Sequence, residues 1–325
     1  MQTRGYAFFS QLDEGSEQMQ LLAMEQADLS KKPLYQDSEG LALRFDGASF
    51  IRDAQELHHF YPNLSPAIRS ALVFHRCGWF RTGEYLKSML FEAMASRFTF
   101  ARATVEELNW GNSKVTLKLD DGTAIVADKV IICAGQYSQA LLQRIDINLP
   151  IAYESHSKVV LPDLSRSLSG MPFSFYADTF ELNFNAEELA AEPALAGLQG
   201  QALPGHFHVR ENWSDVLGEP SVQALWTYDC EPMDEPHPYY PDGSVTHTGI
   251  YTKMPDNLPC IGTLVSGKIY INSALSGFGY MFSQQASELI ARHCMDDGDV
   301  PTIFDPLRSI DTIGDSLSPH RRGQM

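Results

Sequence analysis

Residues 129–142 read KVIICAGQYSQALL. Val130, Ile131 and Ile132 form a short apolar run with no polar alternation, the pattern of a strand buried on both faces as in a parallel sheet. Ala134 and Gly135 then turn the chain, and Ser138 to Leu142 start a helix. A strand, a glycine corner and a helix start make the kind of unit that packs beside a dinucleotide, because glycine has no Cβ and lets a flat ligand approach the backbone. The fingerprint that would cradle a pyrophosphate at a helix N-terminus, G-x-G-x-x-G, occurs nowhere in the 325 residues.

Working outward, Thr82–Ala95 (TGEYLKSMLFEAMA) carries Tyr85, Leu86, Met89, Leu90 and Ala93 at helical spacing and predicts an amphipathic helix capped by Thr82, with that stripe on the core. Shorter helices are expected over 16–28, Asp53–Phe60 and Ser65–Val73. From Val105 the period changes to alternation, predicting three strands, the last being Lys129–Cys133, with Asp121-Gly122 as a tight turn. Residues 150–235 are short alternating segments broken by proline, glycine and acidic loops, the pattern of an antiparallel sheet. A turn (MPDNLPCIG), a strand (GKIYINSA), a glycine corner (SGFG) and a helix from Tyr280 to about Met295 follow. Phe282, Ala286, Leu289, Ile290 and His293 are expected on its core face.

Composition narrows the function classes. With 24 basic against 41 acidic residues the net charge is −17, which repels nucleic acid and anionic surfaces, so neither is expected as a partner. No apolar run approaches the roughly 20 residues of a membrane span, and no signal peptide is evident at Met1. The five cysteines are odd in number, widely spaced and never in C-x-x-C, which predicts neither a disulfide framework nor a zinc site and points to a reducing, cytoplasmic setting.

Three segments in this order carry a joint pattern. Val105–Leu142 has spaced apolar residues, Asp121-Gly122, Ala127-Asp128 and the Ala134-Gly135 corner. Gly249–Gly262 reads GIYTKMPDNLPCIG, and Ser276–Gly279 reads SGFG before a long helix. Over roughly residues 75 to 310 the chain resembles the FAD-dependent amine oxidoreductases of the glycine, sarcosine and D-amino acid oxidase (DAO) superfamily. The resemblance implies an α/β fold: an incomplete FAD-binding Rossmann-like domain interleaved with an antiparallel-sheet substrate domain. Its parts are 1–75, helical and partly substrate domain; 76–148, FAD-binding; 149–248, the substrate sheet; 249–310, the second FAD-binding part; and 311–325, a tail.

The same resemblance implies FAD as cofactor and site residues. Val105 would offer its backbone to the adenine, Ala134 and Gly135 would flank the ADP portion, and Gly277, Phe278, Gly279 and Tyr280 would lie against the pyrimidine side of the flavin. It implies hydride removal from the carbon next to an amine, giving an imine, with a small amine or amino acid as substrate. Gly249 stands where the sarcosine oxidase branch has a flavin-linking cysteine, so the flavin would be non-covalent. Met281 stands where that branch has an oxygen-activating lysine, so a dehydrogenase that passes electrons to another acceptor is at least as plausible as an oxidase. Arg210 and Tyr251 are the catalytic candidates, Arg210 because a guanidinium fork matches a carboxylate. Tyr176 and Tyr251 are candidate pocket walls, and His206 and His208 share a strand face without a third metal ligand. Two other readings stay open: the flavin domain of a tRNA 5-carboxymethylaminomethyl-uridine-modifying protein, and a truncated, non-catalytic member that binds no cofactor, which predicts poor solubility or a partner chain.

Overall fold

The structure, a computed structural model, describes residues 4–25, 35–36, 43–44, 48–75, 77–111, 113–203, 205, 207–214, 219–225, 231–233 and 246–310. The chain divides into two compact units. The first comprises Met1–Phe98, Ser157–Asp229 and Pro241–His247, and the second Thr99–His156, Cys230–Tyr240 and Thr248–Met325.

The first unit is built on a long sheet. The strands Ala48–Ile51, Ser70–Phe74, Tyr6–Ser10, Phe173–Tyr176, Phe207–Ser214 and Glu219–Leu225 follow one another across it, and the end of Ala152–Pro162 pairs with the last of them. All these pairs are antiparallel except Tyr6–Phe9 against Phe173–Tyr176, which run parallel. Alternation along Tyr6–Ser10 sends Phe8 to one face, with Met19, Leu72 and Phe175, and Ala7 and Phe9 to the other, with Leu57, Val73 and Met171. Both faces are therefore apolar at this strand, which is why Ala7 to Ser10 are all buried. The helix Ala54–Phe60 seats Leu57 on one face and starts at Asp53, whose carboxylate accepts from the amides of Gln55 and Glu56. The helix Glu17–Glu25 seats Met19 on the other.

The second unit joins a parallel pair to a hairpin. Val130–Ile132 runs parallel to Ile269–Ser273, which pairs antiparallel with Cys260–Val265. Val105–Trp110, Val115–Leu119 and Ala124–Ala127 form a separate meander. Leu142, from the short helix Ser138–Gln143, packs with Ile132, Ile271 and Val115 in the main core; a fully buried leucine of this kind is worth roughly 1.5–3 kcal/mol. The helix Gly279–Cys294 sets Ala286, Ile290 and Cys294 on Ile261 and Tyr270 of the sheet.

Four expectations are corrected. Ser65–Val73 does not form a helix: Ser70–Phe74 is a strand, because its run of buried Ala71, Leu72 and Val73 lies between two other strands. Short apolar runs do not by themselves distinguish strand from helix. Thr82 is the first residue of Thr82–Ala95, not its cap; Arg81 holds that place and makes no capping bond. The stripe of that helix is not on the core, since none of its residues is buried and Leu86, Met89, Leu90, Phe91 and Met94 are all exposed. Finally, four strands rather than three run from Val105 to Ile132, and the last is covered on one side only, with Ile131 exposed.

Candidate functional site

Because Val130–Ile132 and Ile269–Ser273 are adjacent and parallel, the corners that follow them open at the same end of the sheet. That end, beyond the carboxyl ends of parallel strands, is where ligands bind in open α/β sheets. Ser273 Oγ donates to Ser138 Oγ at 3.0 Å, tying the second strand's end to the helix start after the first. Ala134 is exposed, and Gly135 has φ +54° with no atom within 4 Å of where a Cβ would stand. The space above the first corner is therefore open.

The second corner is held in unfavourable backbone conformations. Ala274 and Ser276 have φ +53° and +54°, and Asn257, in the neighbouring turn, has φ +58°. For Ala274 and Ser276 this costs on the order of 1–3 kcal/mol and persists only where the surroundings fix it, whereas asparagine adopts it more readily. Ser276 Oγ donates to Asn257 Oδ1 at 2.5 Å, so two of the three restrain each other. The turn carrying Asn257 is clamped in turn by Arg308, whose Nε and Nη2 each lie 2.7 Å from the Asp256 carboxylate and which also donates to the carbonyls of Leu258, Pro259 and Asp305. Burial of Asp256 raises its pKa, but the bonds and charge of Arg308 outweigh that and hold it below the ordinary value. After the corner Phe278 adopts φ −90°, ψ −1°, and Gly279 starts a helix of 16 residues with no side-chain cap. Its first amides point outward, a partial positive charge at the same end of the sheet. Gly277 and Phe278 are half-buried and Tyr280 is exposed. Asn272, one residue before the strand's end, has a buried side-chain oxygen without a hydrogen-bond partner.

A buried ionic cluster, not singled out in the sequence, lies in the same unit. Glu154 Oε1 is 2.8 Å from His156 Nε2, and Glu154 Oε2 accepts from Lys253 Nζ at 2.7 Å. Burial, the largest single influence, pushes the Glu154 pKa up, but the bonds from His156 and Lys253 and their charges bring it down to about 2. The ring of His156 stacks on Tyr251 at 3.8 Å between centroids, so this catalytic candidate is held by the cluster. Lys253 bridges to Leu275, which places the cluster beside the strained corner. The sequence signal was available: Glu154 and His156 sit two apart on a strand and so share a face. Val105 is half-buried at the start of its strand, opposite Leu119.

Arg210 belongs to the first unit. It lines a cavity of about 590 Å³ together with Trp79, Arg81, Lys87, Arg166 and Gln223. Its Nη2 donates to Gln223 Oε1 at 2.6 Å, its Nη1 to the Glu211 carbonyl at 3.3 Å, and its guanidinium carbon lies 5.8 Å from the centre of the Trp79 ring. Burial lowers its pKa. Tyr176 is half-buried, edge-on to Phe180. His208 packs on the rings of Phe173 and Phe175. His206 lies outside the described residues.

The family model described as FAD dependent oxidoreductase (DAO) matches residues 6–293. No curated protein matches the chain by sequence. Among solved structures the chain is similar to glycine oxidase from Geobacillus kaustophilus (12% identity, TM-score 0.68, covering 95% of this chain and 76% of that one). It is also similar to L-proline dehydrogenase from P. horikoshii (15%, 0.64, 94% and 76%) and to an L-amino acid deaminase from Proteus vulgaris (15%, 0.60, 95% and 73%). At these identities the likeness is one of fold.

Proposed function

The chain belongs to the DAO family of FAD dependent oxidoreductases, and on that premise we propose that it oxidises the carbon–nitrogen bond of an amino acid or N-methyl amine to an imine. The observation that carries the reading is the pair of corners at the shared end of the two parallel strands, one open at Gly135 and one strained at Ala274 and Ser276.

The residues present fit a flavin. An open glycine corner admits a flat group, the uncapped helix at Gly279 favours an electron-rich one, and the unpartnered Asn272 oxygen accepts a donor. On this reading Ala134 and Gly135 flank the ADP portion, Val105 meets the adenine, and Gly277, Phe278, Gly279 and Tyr280 meet the ring, without a covalent link. Bound FAD supplies the two-electron acceptor. The chain's own part is to bind and orient. Within the first unit Arg210 offers a substrate carboxylate the donors of its fork that Gln223 and Glu211 do not use; within the second the Glu154 cluster fixes the Tyr251 ring.

The test is a visible spectrum of the purified chain with and without added FAD, followed by anaerobic bleaching with a panel of N-methyl, L- and D-amino acids. Flavin uptake with bleaching by at least one of them is expected. A protein that takes up no flavin, or one whose flavin no amine reduces, would sink the proposal.

A further inference from the structure

The cavity at Arg210 carries more positive charge than one carboxylate needs. Four cations line it, Arg81, Lys87, Arg166 and Arg210, in a chain whose net charge is −17. Two acids line it as well, and both are engaged: Glu84 with Arg81 at 3.2 Å, and Glu211 with Arg4. Among the described residues Lys87, Arg166 and Arg210 have no carboxylate partner. A fourth unpaired cation stands close by. Lys158 is half-buried, its side chain has no ion pair or hydrogen bond among the described residues, and its pKa is lowered first by burial and then by the charge of Arg210. It shares a sheet face with Arg210, since Lys158 and His208 both stand opposite Leu225 and Arg210 lies two residues beyond His208. Arg81, Lys87 and Arg166 are exposed while Arg210 and Lys158 are half-buried, so the cations line or flank one cavity from solvent-facing and partly shielded positions and together attract an anion into it.

Arg166 is also held in place by design of its loop. It has φ +53°, and Asp163 fixes the turn around it by accepting from the amides of Ser167 and Leu168 and the hydroxyls of Ser165 and Ser167. The turn thus fixes the backbone from which the Arg166 side chain reaches the cavity.

We propose that this cavity takes a substrate with two anionic groups, a dicarboxylic amino acid or a comparable dianionic amine, with Arg210 binding one carboxylate and Arg166, helped by Lys87, binding the other. The inference rests on the amine-oxidation reading above, whose carboxylate anchor it shares, and narrows its substrate class. The aromatic floor at Trp79 packs the carbon chain between the two charged ends, and the unpaired cations steer anions to an otherwise repelling protein.

Equilibrium binding of glutarate and of butyrate to the full chain, by calorimetry at fixed ionic strength, tests this without relying on turnover. Glutarate is expected to bind at least tenfold more tightly than butyrate. Arg166→Gln, an exposed position, is expected to bring glutarate down to the butyrate level and leave butyrate unchanged, whereas Arg210→Met weakens both at least tenfold. Equal affinities in the parent protein, or no effect of Arg166→Gln on glutarate, would overturn the dianion inference alone. If Arg210→Met changed neither ligand, or neither bound the parent, the carboxylate anchor of the broader reading would fall with it.

Discussion

Lys253 and Glu154 form a buried ion pair at 2.7 Å, both side chains about one-tenth exposed, and His156 joins them on the second carboxylate oxygen. Removing one partner of such a pair leaves an uncompensated buried charge. Glu154→Ala is expected to lower unfolding free energy by about 3–5 kcal/mol, measured by denaturant titration. Conversely, a loss within experimental error would show the pair to be water-exposed in solution. The sign with pH follows from the depressed folded-state pKa, about 2 against an ordinary 4.5. The contribution is fully present above about 4.5 and fades as pH falls toward about 2. The difference in stability between the parent and Glu154→Ala should therefore shrink as pH falls through that window.

Arg308 holds the Asp256 turn through a two-pronged ion pair and three carbonyls. Arg308→Ala should cost about 3–5 kcal/mol for the same reason. Arg308→Lys should recover less than half of this, because an ammonium cannot reproduce the fork. Full recovery by lysine, in thermal or chemical melts, would show that charge alone suffices.

Gly135 offers a cleaner probe of the cofactor reading. At φ +54° an alanine costs roughly 1–2 kcal/mol in backbone strain, and no neighbour obstructs its methyl group. Gly135→Ala should leave the apo fold largely intact yet weaken FAD uptake at least tenfold, read by fluorescence quenching on titration. An unchanged affinity would place the flavin elsewhere.

Met281 is 60% exposed and carries no charge at the position where the sarcosine oxidase branch has a lysine. Reduced flavin in this protein is expected to reoxidise faster with a quinone than with air, and Met281→Lys should raise the air rate at least tenfold. Rapid reoxidation of the parent by air would refute the dehydrogenase reading.

The exposed row Leu86, Phe91 and Met94 on Thr82–Ala95 forms an apolar face of the kind that marks interaction surfaces. Phe91→Glu with Met94→Glu should change stability by less than about 0.5 kcal/mol, as for ordinary surface positions, while sharply reducing binding of a hydrophobic dye. A large loss of stability would show that this face is covered in solution.

The residues that repeat with a clear period were the legible ones. Gly279–Cys294 and the Asp121-Gly122 turn follow from patterns a few residues long, whereas from Val105 the alternation marked strands but undercounted them. The strand Tyr6–Ser10 was missed because YAFFS has neither alternation nor a turn on both sides, and its place beside Phe173–Tyr176 depends on a partner more than 160 residues away. The Arg210 cavity was half legible. One arginine on a strand suggested a carboxylate, but Arg166 and Lys87 reach it from a loop and a helix remote in sequence. Likewise Glu154 meets Lys253 across 99 residues, and no local pattern announces that meeting. Long-range pairing, set by packing rather than by propensity, is what the sequence leaves unwritten.

The left-handed trio Asn257, Ala274 and Ser276 bears on how this protein could be engineered. Glycine at any of them would relieve backbone strain, so a screen for heat resistance would be drawn to this corner, while the same relaxation would blur the surface offered to a cofactor. Selection for robustness alone and selection for turnover should thus diverge first at these three positions, which makes them the natural place to read which of the two has shaped a given variant.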